Sequence, residues 1–225
     1  MGRGCFVTGT DTGVGKTLLA CALLHAFAGS GKSVVGMKPV AAGREDGRWA
    51  DVDALARAST VRASATLANP YAFEPAIAPH LAAELAGSRI EIEAIVHACD
   101  ALRRQAELVV VEGVGGFLVP LNAHETGGDL ARRLALPVVL IVGMRLGCLN
   151  HALLTRSQIR ACGLRCAGWV ANCIAPELPH LDGNIRALEQ RLECPLLGVV
   201  PFRRGPEPEW AVPFLALEPL IEAMA

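Results

Sequence analysis

The run Phe6-Val7-Thr8-Gly9-Thr10-Asp11-Thr12-Gly13-Val14-Gly15-Lys16-Thr17 restricts the fold more than any other stretch of the chain. An apolar strand stops at Val7, a glycine-spaced loop follows, and Lys16-Thr17 opens an apolar helical run as far as Phe27. A polyphosphate carries several charges, and a loop that turns backbone N–H groups inward at a helix N-terminus solvates them without side-chain bulk. Gly13 and Gly15 let the backbone come close, Lys16 reaches the outer phosphates, and the Thr17 hydroxyl suits Mg²⁺. The strict G-x4-G-K-[ST] pattern requires glycine where this chain has Thr10; Gly9 stands one residue early, so the loop is a variant. Strand, spaced glycines, lysine and hydroxyl in that order point to nucleotide binding but leave the reaction open.

Apolar segments and helical segments alternate along the rest of the chain, which predicts a mostly parallel central sheet with helices on both faces. Strands are expected at residues 4–8, 33–37, 108–111, 138–142, 168–174 and 197–200, each rich in Val, Ile or Leu as suits burial on both faces. Helices are expected at 16–28, 53–58, 90–105, 128–134, 149–161, 180–192 and near 214–224. Ser88-Arg89-Ile90-Glu91 reads as a capping box starting the third of these. Residues 41–50 and 69–79 read as long loops at the carboxyl ends of strands, where such sheets bind ligands. A length of 225 residues fits one domain spanning 1–225.

Composition narrows the partners. A net charge of −1 gives no electrostatic footprint for nucleic acid or an anionic membrane, so small molecules and other protein chains are expected. The most hydrophobic run, residues 134–142, is broken by Pro137 and suits a buried strand better than a membrane span. No secretory leader is expected, because the phosphate-loop motif begins within the first ten residues. The eight cysteines show no zinc spacing and read as buried thiols in a reducing cytoplasm. There are only three lysines, Lys16, Lys32 and Lys38, amid abundant arginine.

Several strand ends carry chemistry. Leu108 to Val111 leads into Glu112 and then Gly113-Val114-Gly115-Gly116, an acid facing a metal with glycines that allow a close pass by phosphate or substrate. Lys38 ends the second strand beside the phosphate loop, where its ammonium is suited to a transferring phosphoryl group. Asp51 and Asp53 both begin a short helix; one is a metal-ligand candidate and the other a charge favoured by the helix dipole, and spacing does not choose between them. Asn172 ends another buried strand with an amide suited to a nucleobase. Gly147-Cys148-Leu149-Asn150 opens a helix whose N-terminus suits a carboxylate. No local serine or cysteine nucleophile motif is present.

The phosphate-loop run, with Lys38-Pro39-Val40, Pro79-His80, Val111 to Gly116, Gly147 to His151, Gly168 to Asn172 and Gly198 to Pro201, resembles dethiobiotin synthetase in register along nearly the whole chain. The resemblance implies a three-layer α/β fold of the P-loop NTPase type and an ATP- and Mg²⁺-dependent ligase of biotin biosynthesis. CO₂ adds to an amine of 7,8-diaminononanoate, the carbamate takes the γ-phosphoryl group as a carbamic-phosphoric anhydride, and the second amine closes the cyclic urea.

By that resemblance Lys16, Lys38 and Thr12 are catalytic, and Thr17, Asp53 and Glu112 hold the metal. Gly13, Val14, Gly15, Leu18, Gly113, Val114, Gly115, Asn172, Cys173, Pro201, Phe202, Arg203 and Glu207 complete the nucleotide contacts. Ala42, Gly116, Gly147, Cys148, Leu149 and Asn150 join Lys38 on the substrate, the last four across a homodimer interface. Ala42 stands where the family has a serine, and Cys173 where some members have aspartate. Two other readings share the fold. A partitioning-type nucleotide switch carries an extra lysine where this chain has Thr10-Asp11-Thr12, and a cobyrinate-type amidoligase comes with a glutaminase domain.

Overall fold

The computed structural model describes residues 4–224. Six strands form a parallel sheet: β1 Gly4–Gly9, β2 Val34–Met37, β5 Leu108–Glu112, β6 Val138–Met144, β7 Cys166–Cys173 and β8 Leu196–Val200, in the order β2-β5-β1-β6-β7-β8. These strands match those expected from sequence to within two residues at each end. Near-continuous apolar runs form such strands because both faces are covered, and side chains alternate between two cores. Phe6, Val35, Val109, Val111, Leu140 and Trp169 enter one core. It is closed by α5 Ile92–Arg103, α6 Gly127–Leu134, α7 Cys148–Ala161 and α8 Leu181–Leu192. Cys5, Val7, Val34, Val110, Ile141 and Val170 enter the other, against α1 Lys16–Gly29, α2 Ala50–Ala58, α9 Pro208–Ala211 and α10 Glu218–Met224.

Several expectations require correction. The two long loops contain structure: β3 Val40–Ala42 and β4 Tyr71–Phe73 pair in parallel as a separate two-stranded sheet. Two short helices, α3 Ala65–Ala68 and α4 Pro79–Leu85, flank β4. Strands of three residues are too short for a periodic pattern to register. The capping box at Ser88 does not form. The Ser88 hydroxyl donates back to Ala83 O at 3.4 Å, the Glu91 N–H is taken by the Tyr71 hydroxyl at 3.0 Å, and the helix starts only at Ile92. Ile90 is fully buried, and tertiary packing has overridden the local signal. The last helix, expected near 214–224, starts only at Glu218 as α10, and α9 with a 3₁₀ turn Val212–Phe214 forms ahead of it without a sequence-level expectation.

The open edge of β2 is covered from its own side. Ser59 Oγ accepts from Gly36 N at 2.9 Å and Thr60 Oγ1 from Val34 N at 2.8 Å, leaving those donors unavailable to another strand. Beyond the end of β2, Asn69 Nδ2 donates to Lys38 O at 2.6 Å and Lys38 N donates to Ala68 O at 2.8 Å, which fixes the Lys38 backbone. The chain order reverses around β1, which has β5 on one side and β6 on the other. Ligands bind such sheets in the crevice at the carboxyl ends of strands around that reversal.

Candidate active site

Because β1, β2 and β5 run in parallel, their carboxyl ends bring distant residues together. Val7 is level with Glu112 and Met37 with Val111, so Lys38, one residue past β2, comes beside Glu112. The loop after β1 returns over the same edge and starts α1, with Gly15 as its N-cap. Gly13 and Gly15 take φ of 73° and 92°, in the left-handed region that side chains disfavour. A Cβ on Gly9 would sit 2.6 Å from Val14 Cγ2 and 3.1 Å from the Lys16 stem, which explains why this variant loop has its first glycine there. Thr10 keeps an ordinary negative φ.

Five polar side chains converge. The Thr17 hydroxyl donates to Glu112 Oε1 at 2.8 Å, and Lys38 Nζ donates to the same oxygen at 2.6 Å. Lys38 Nζ also meets Asp51 Oδ2 at 2.7 Å. Glu112 is 1 % exposed and Lys38 4 %, so an isolated charge there would be very costly and the two neutralise each other. Glu112 Oε2 is buried without a hydrogen-bond partner. Burial alone pulls the Lys38 ammonium down in pKa, but the Glu112 and Asp51 charges outweigh it and hold the group above its ordinary value. The Lys16 ammonium donates to Asp11 O at 2.8 Å. Burial, with the nearby Lys38 charge, lowers its pKa to about 8. An all-oxygen set of Thr17, Asp51 and Glu112 suits a hard divalent cation such as Mg²⁺.

Asp53 makes no side-chain hydrogen bond or ion pair with these groups among the described residues. Residues two apart on a helix point about 200° away from each other, so only one of Asp51 and Asp53 can face Lys38. Asp51 does so, and Asp53 lines a separate groove with Arg48, Trp49 and Arg57.

The other expected contacts are distributed around the loop. Thr12 is exposed, and its N–H donates to Asp11 Oδ1 at 2.8 Å. Asn172 lies under the loop: its Nδ2 donates to Val14 O at 2.8 Å. Cys173 follows at the half-buried end of β7, with its thiol pKa raised by burial. Gly113, Val114 and Gly116 line a small enclosure beside Glu112, and Gly115 takes φ 60°. Ala42 ends β3, half-buried. Glu207 and Leu18 border a cleft of about 420 Å³ that opens at Thr17 between α1, α2 and the segment before α9. Pro201 and Phe202 follow β8, and the Arg203 guanidinium lies 5.3 Å over the Trp210 ring. Gly147 has φ 92° and N-caps α7; Cys148 is buried, Leu149 half-buried and Asn150 exposed. Sequence reasoning missed Arg145, which leads into that helix and forms an ion pair with Asp11. Nothing local signals a pair separated by so much chain.

A family model described as an AAA domain matches residues 3–209. A protein of Nitrosospira multiformis, the ATP-dependent dethiobiotin synthetase BioD, is 59 % identical over 202 residues, covering 90 % of this chain and 89 % of that one. The protein of the same name from Aromatoleum aromaticum is 51 % identical over 210 residues, covering 92 % of this chain and 93 % of its own. Among solved structures, the septum site-determining protein MinD of Pyrococcus horikoshii, complexed with Mg-ADP, superposes with a TM-score of 0.57 at 14 % identity. That match covers 100 % of this chain and 91 % of MinD. The MinC:MinD complex of Aquifex aeolicus gives 0.58 at 15 % identity, over 90 % of this chain and 82 % of its own. These structural matches establish the three-layer fold with its mostly parallel central sheet and nothing finer. With the phosphate loop, its lysines and this degree of identity over nine-tenths of its length, the chain belongs to the family of ATP-dependent dethiobiotin synthetases.

Proposed function

We propose that the chain closes the cyclic urea of dethiobiotin from 7,8-diaminononanoate, CO₂ and ATP, with Mg²⁺ held by Thr17, Asp51 and Glu112. One observation carries the reading: Lys16, Thr17, Lys38, Asp51 and Glu112, drawn from four different elements, meet at one sheet edge beside the phosphate loop. Asp51 takes the role that the resemblance gives to Asp53, because Asp51 is the carboxylate beside Lys38.

The chemistry needs little covalent work from the protein. A carbamate oxygen takes the γ-phosphoryl group, and the second amine then displaces phosphate from the mixed anhydride. The chain orients the partners and stabilises charge on the transferring group. The N–H groups of Gly13 to Lys16 hold the phosphates, and Lys16 and Lys38 bring two ammonium groups to the γ end. A bound Mg²⁺ supplies neutralisation of charge on the phosphate oxygens. The cleft between Leu18 and Glu207 suits the nucleoside; the resemblance assigns Asn172, Cys173 and the segment from Pro201 to Arg203 to the base.

The substrate carboxylate is assigned to the α7 N-terminus, Gly147 to Asn150, of a second copy of the chain. Leu146, 96 % exposed, and Leu154 on α7 give that surface apolar area to bury. All eight cysteines are free thiols, which suits a reducing cytoplasm. Mass-spectrometric detection of dethiobiotin from purified protein with the diamine, bicarbonate, Mg²⁺ and ATP tests the assignment. ADP release that does not depend on the diamine would overturn it.

A further inference from the structure

We infer that Cys166 and Cys194 form a peroxide-sensitive dithiol, in which Cys194 is the reacting sulfur and Cys166 resolves it to a disulfide that clips β8 to β7. The pair lies at the amino end of the sheet, on the edge opposite to the phosphate loop, and the inference does not depend on the reaction assigned above.

Strand register brings the two residues together. β7 starts at Cys166, and β8 runs parallel to it with Leu196 opposite Trp169. Trp169 N donates to Pro195 O at 2.9 Å, so Cys194, one residue earlier, falls beside the first residues of β7. Neighbouring strands are about 4.8 Å apart, within the Cα separation of about 4.4–6.8 Å that a disulfide spans. Both sulfurs face the same core, Cys166 buried within it and Cys194 packed on it from a half-buried position. They lie within hydrogen-bonding reach of each other, and Cys166 Sγ is also 3.6 Å from Gly168 O. Pro195 confines Cys194 to an extended backbone and Glu193 ahead of it takes φ 51°, so the turn presents the thiol in one orientation.

The surroundings make the two thiols unequal. Arg156 Nε, from α7, donates to Leu192 O at 2.7 Å, which holds the guanidinium beside Cys194. The Cys166 thiol donates to the Cys194 sulfur; that bond and the Arg156 charge outweigh burial and the Glu193 carboxylate, and hold Cys194 below the ordinary thiol pKa. The same bond, with burial, pushes the Cys166 thiol up. The better exposed sulfur is therefore also the better nucleophile. In the first step the Cys194 thiolate attacks an oxygen of a hydroperoxide; the O–O bond breaks, water or alcohol leaves with a proton from solvent, and Cys194 becomes a sulfenic acid. The Cys166 sulfur then attacks the Cys194 sulfur, the S–O bond breaks, and the hydroxyl departs as water with the Cys166 proton. Two electrons pass from the thiols to the peroxide. The bridge encloses the rest of β7 and the whole of α8 in a covalent loop.

The test treats wild type, Cys194→Ser and Cys166→Ser with hydrogen peroxide and follows intact mass and peptide maps. Wild type is expected to lose two hydrogen atoms and to give a peptide cross-linked between Cys166 and Cys194 that dithiothreitol releases. Cys166→Ser should stop at a Cys194 sulfenic acid captured by dimedone, and Cys194→Ser should leave Cys166 unmodified. A bridge between any other pair, such as Cys162 with Cys166, or first oxidation at the half-buried Cys162 or Cys173, overturns the proposal. In the Cys166→Ser background, Arg156→Leu is expected to slow dimedone capture about tenfold, with partial rescue by Arg156→Lys. An unchanged rate overturns the activation of Cys194. The wild-type map decides for or against the bridge even where a variant fails to fold.

Discussion

The carboxamide nitrogen of Asn172 donates to the carbonyl of Val14 at 2.8 Å, tying the end of β7 to a loop 158 residues earlier. The same nitrogen would lie 2.2 Å from a Cβ on Gly15, a residue already at φ 92°. Asn172 thus shapes the phosphate loop from beneath. Asn172→Ala is expected to weaken ATP by about tenfold while leaving diamine affinity largely unchanged, since one buried hydrogen bond of about 1 kcal/mol or more is lost. Gly15→Ala is expected to abolish nucleotide binding, because the methyl strains the backbone and displaces the brace together. Equilibrium binding of a fluorescent ATP analogue and of the diamine checks both, and a selective loss of diamine affinity in Asn172→Ala would reverse the assignment.

Asp51 and Asp53 give opposite expectations. Asp51→Asn removes a charge 2.7 Å from Lys38 and is expected to reduce kcat by about 10²-fold. Asp53→Asn alters the groove lined by Arg48, Trp49 and Arg57 and is expected to stay within about twofold of wild type. Lys38→Ala should nearly abolish turnover, and it leaves Glu112 buried without its counter-charge, a loss of roughly 3–5 kcal/mol in stability. Steady-state kinetics on the three variants, with chemical denaturation, separates these effects; equal losses in the two aspartate variants would return Asp53 to the site.

The Lys16 ammonium, with its pKa near 8 against an ordinary 10.5, sets a pH dependence in the nucleotide-free protein. Above about 8 the folded site loses the proton that a polyphosphate needs, so the KM for ATP should rise with pH and binding should be accompanied by proton uptake. Between the folded and unfolded values the unfolded chain holds more protons. This group therefore makes the free protein more stable as pH rises through that window, and it contributes no pH dependence below it. Calorimetry in buffers of different ionisation enthalpy measures the uptake. Lys16→Arg should remove both effects, because a guanidinium stays charged.

The ion pair of Arg145 with Asp11 links the phosphate loop to the segment entering α7. Both side chains are nearly half exposed, so Arg145→Ala should cost less than about 1 kcal/mol in stability. Its effect is expected on the loop instead, as a rise in the KM for ATP with kcat preserved, partly rescued by Arg145→Lys. Unchanged KM in Arg145→Ala would reduce the pair to a surface contact.

Much of the fold was legible in the chain because strands buried on both faces need unbroken runs of Val, Ile and Leu, and such runs are visible without any partner. Val138 to Val142 and Leu108 to Val111 are examples. The phosphate loop was legible for a similar reason, since left-handed turns at Gly13 and Gly15 leave glycine as the residue of choice. Short elements such as Tyr71–Phe73 carried no pattern, because three residues draw their stability from neighbours rather than from their own sequence. Ser88 looked like a cap and was not one, because burying Ile90 outweighed the hydrogen bonds that the cap would have gained.

Local order of residue types alone determined the alternation of strands and helices, the phosphate loop, and the placing of Lys38 and Glu112 at strand ends, because backbone sterics and two-sided burial act over a few residues. Which aspartate meets Lys38, what Asn172 braces and that Arg145 reaches Asp11 were decided only in three dimensions. Helix phase and the side-by-side order of parallel strands set those distances, and neither is written in the spacing of residues along the chain.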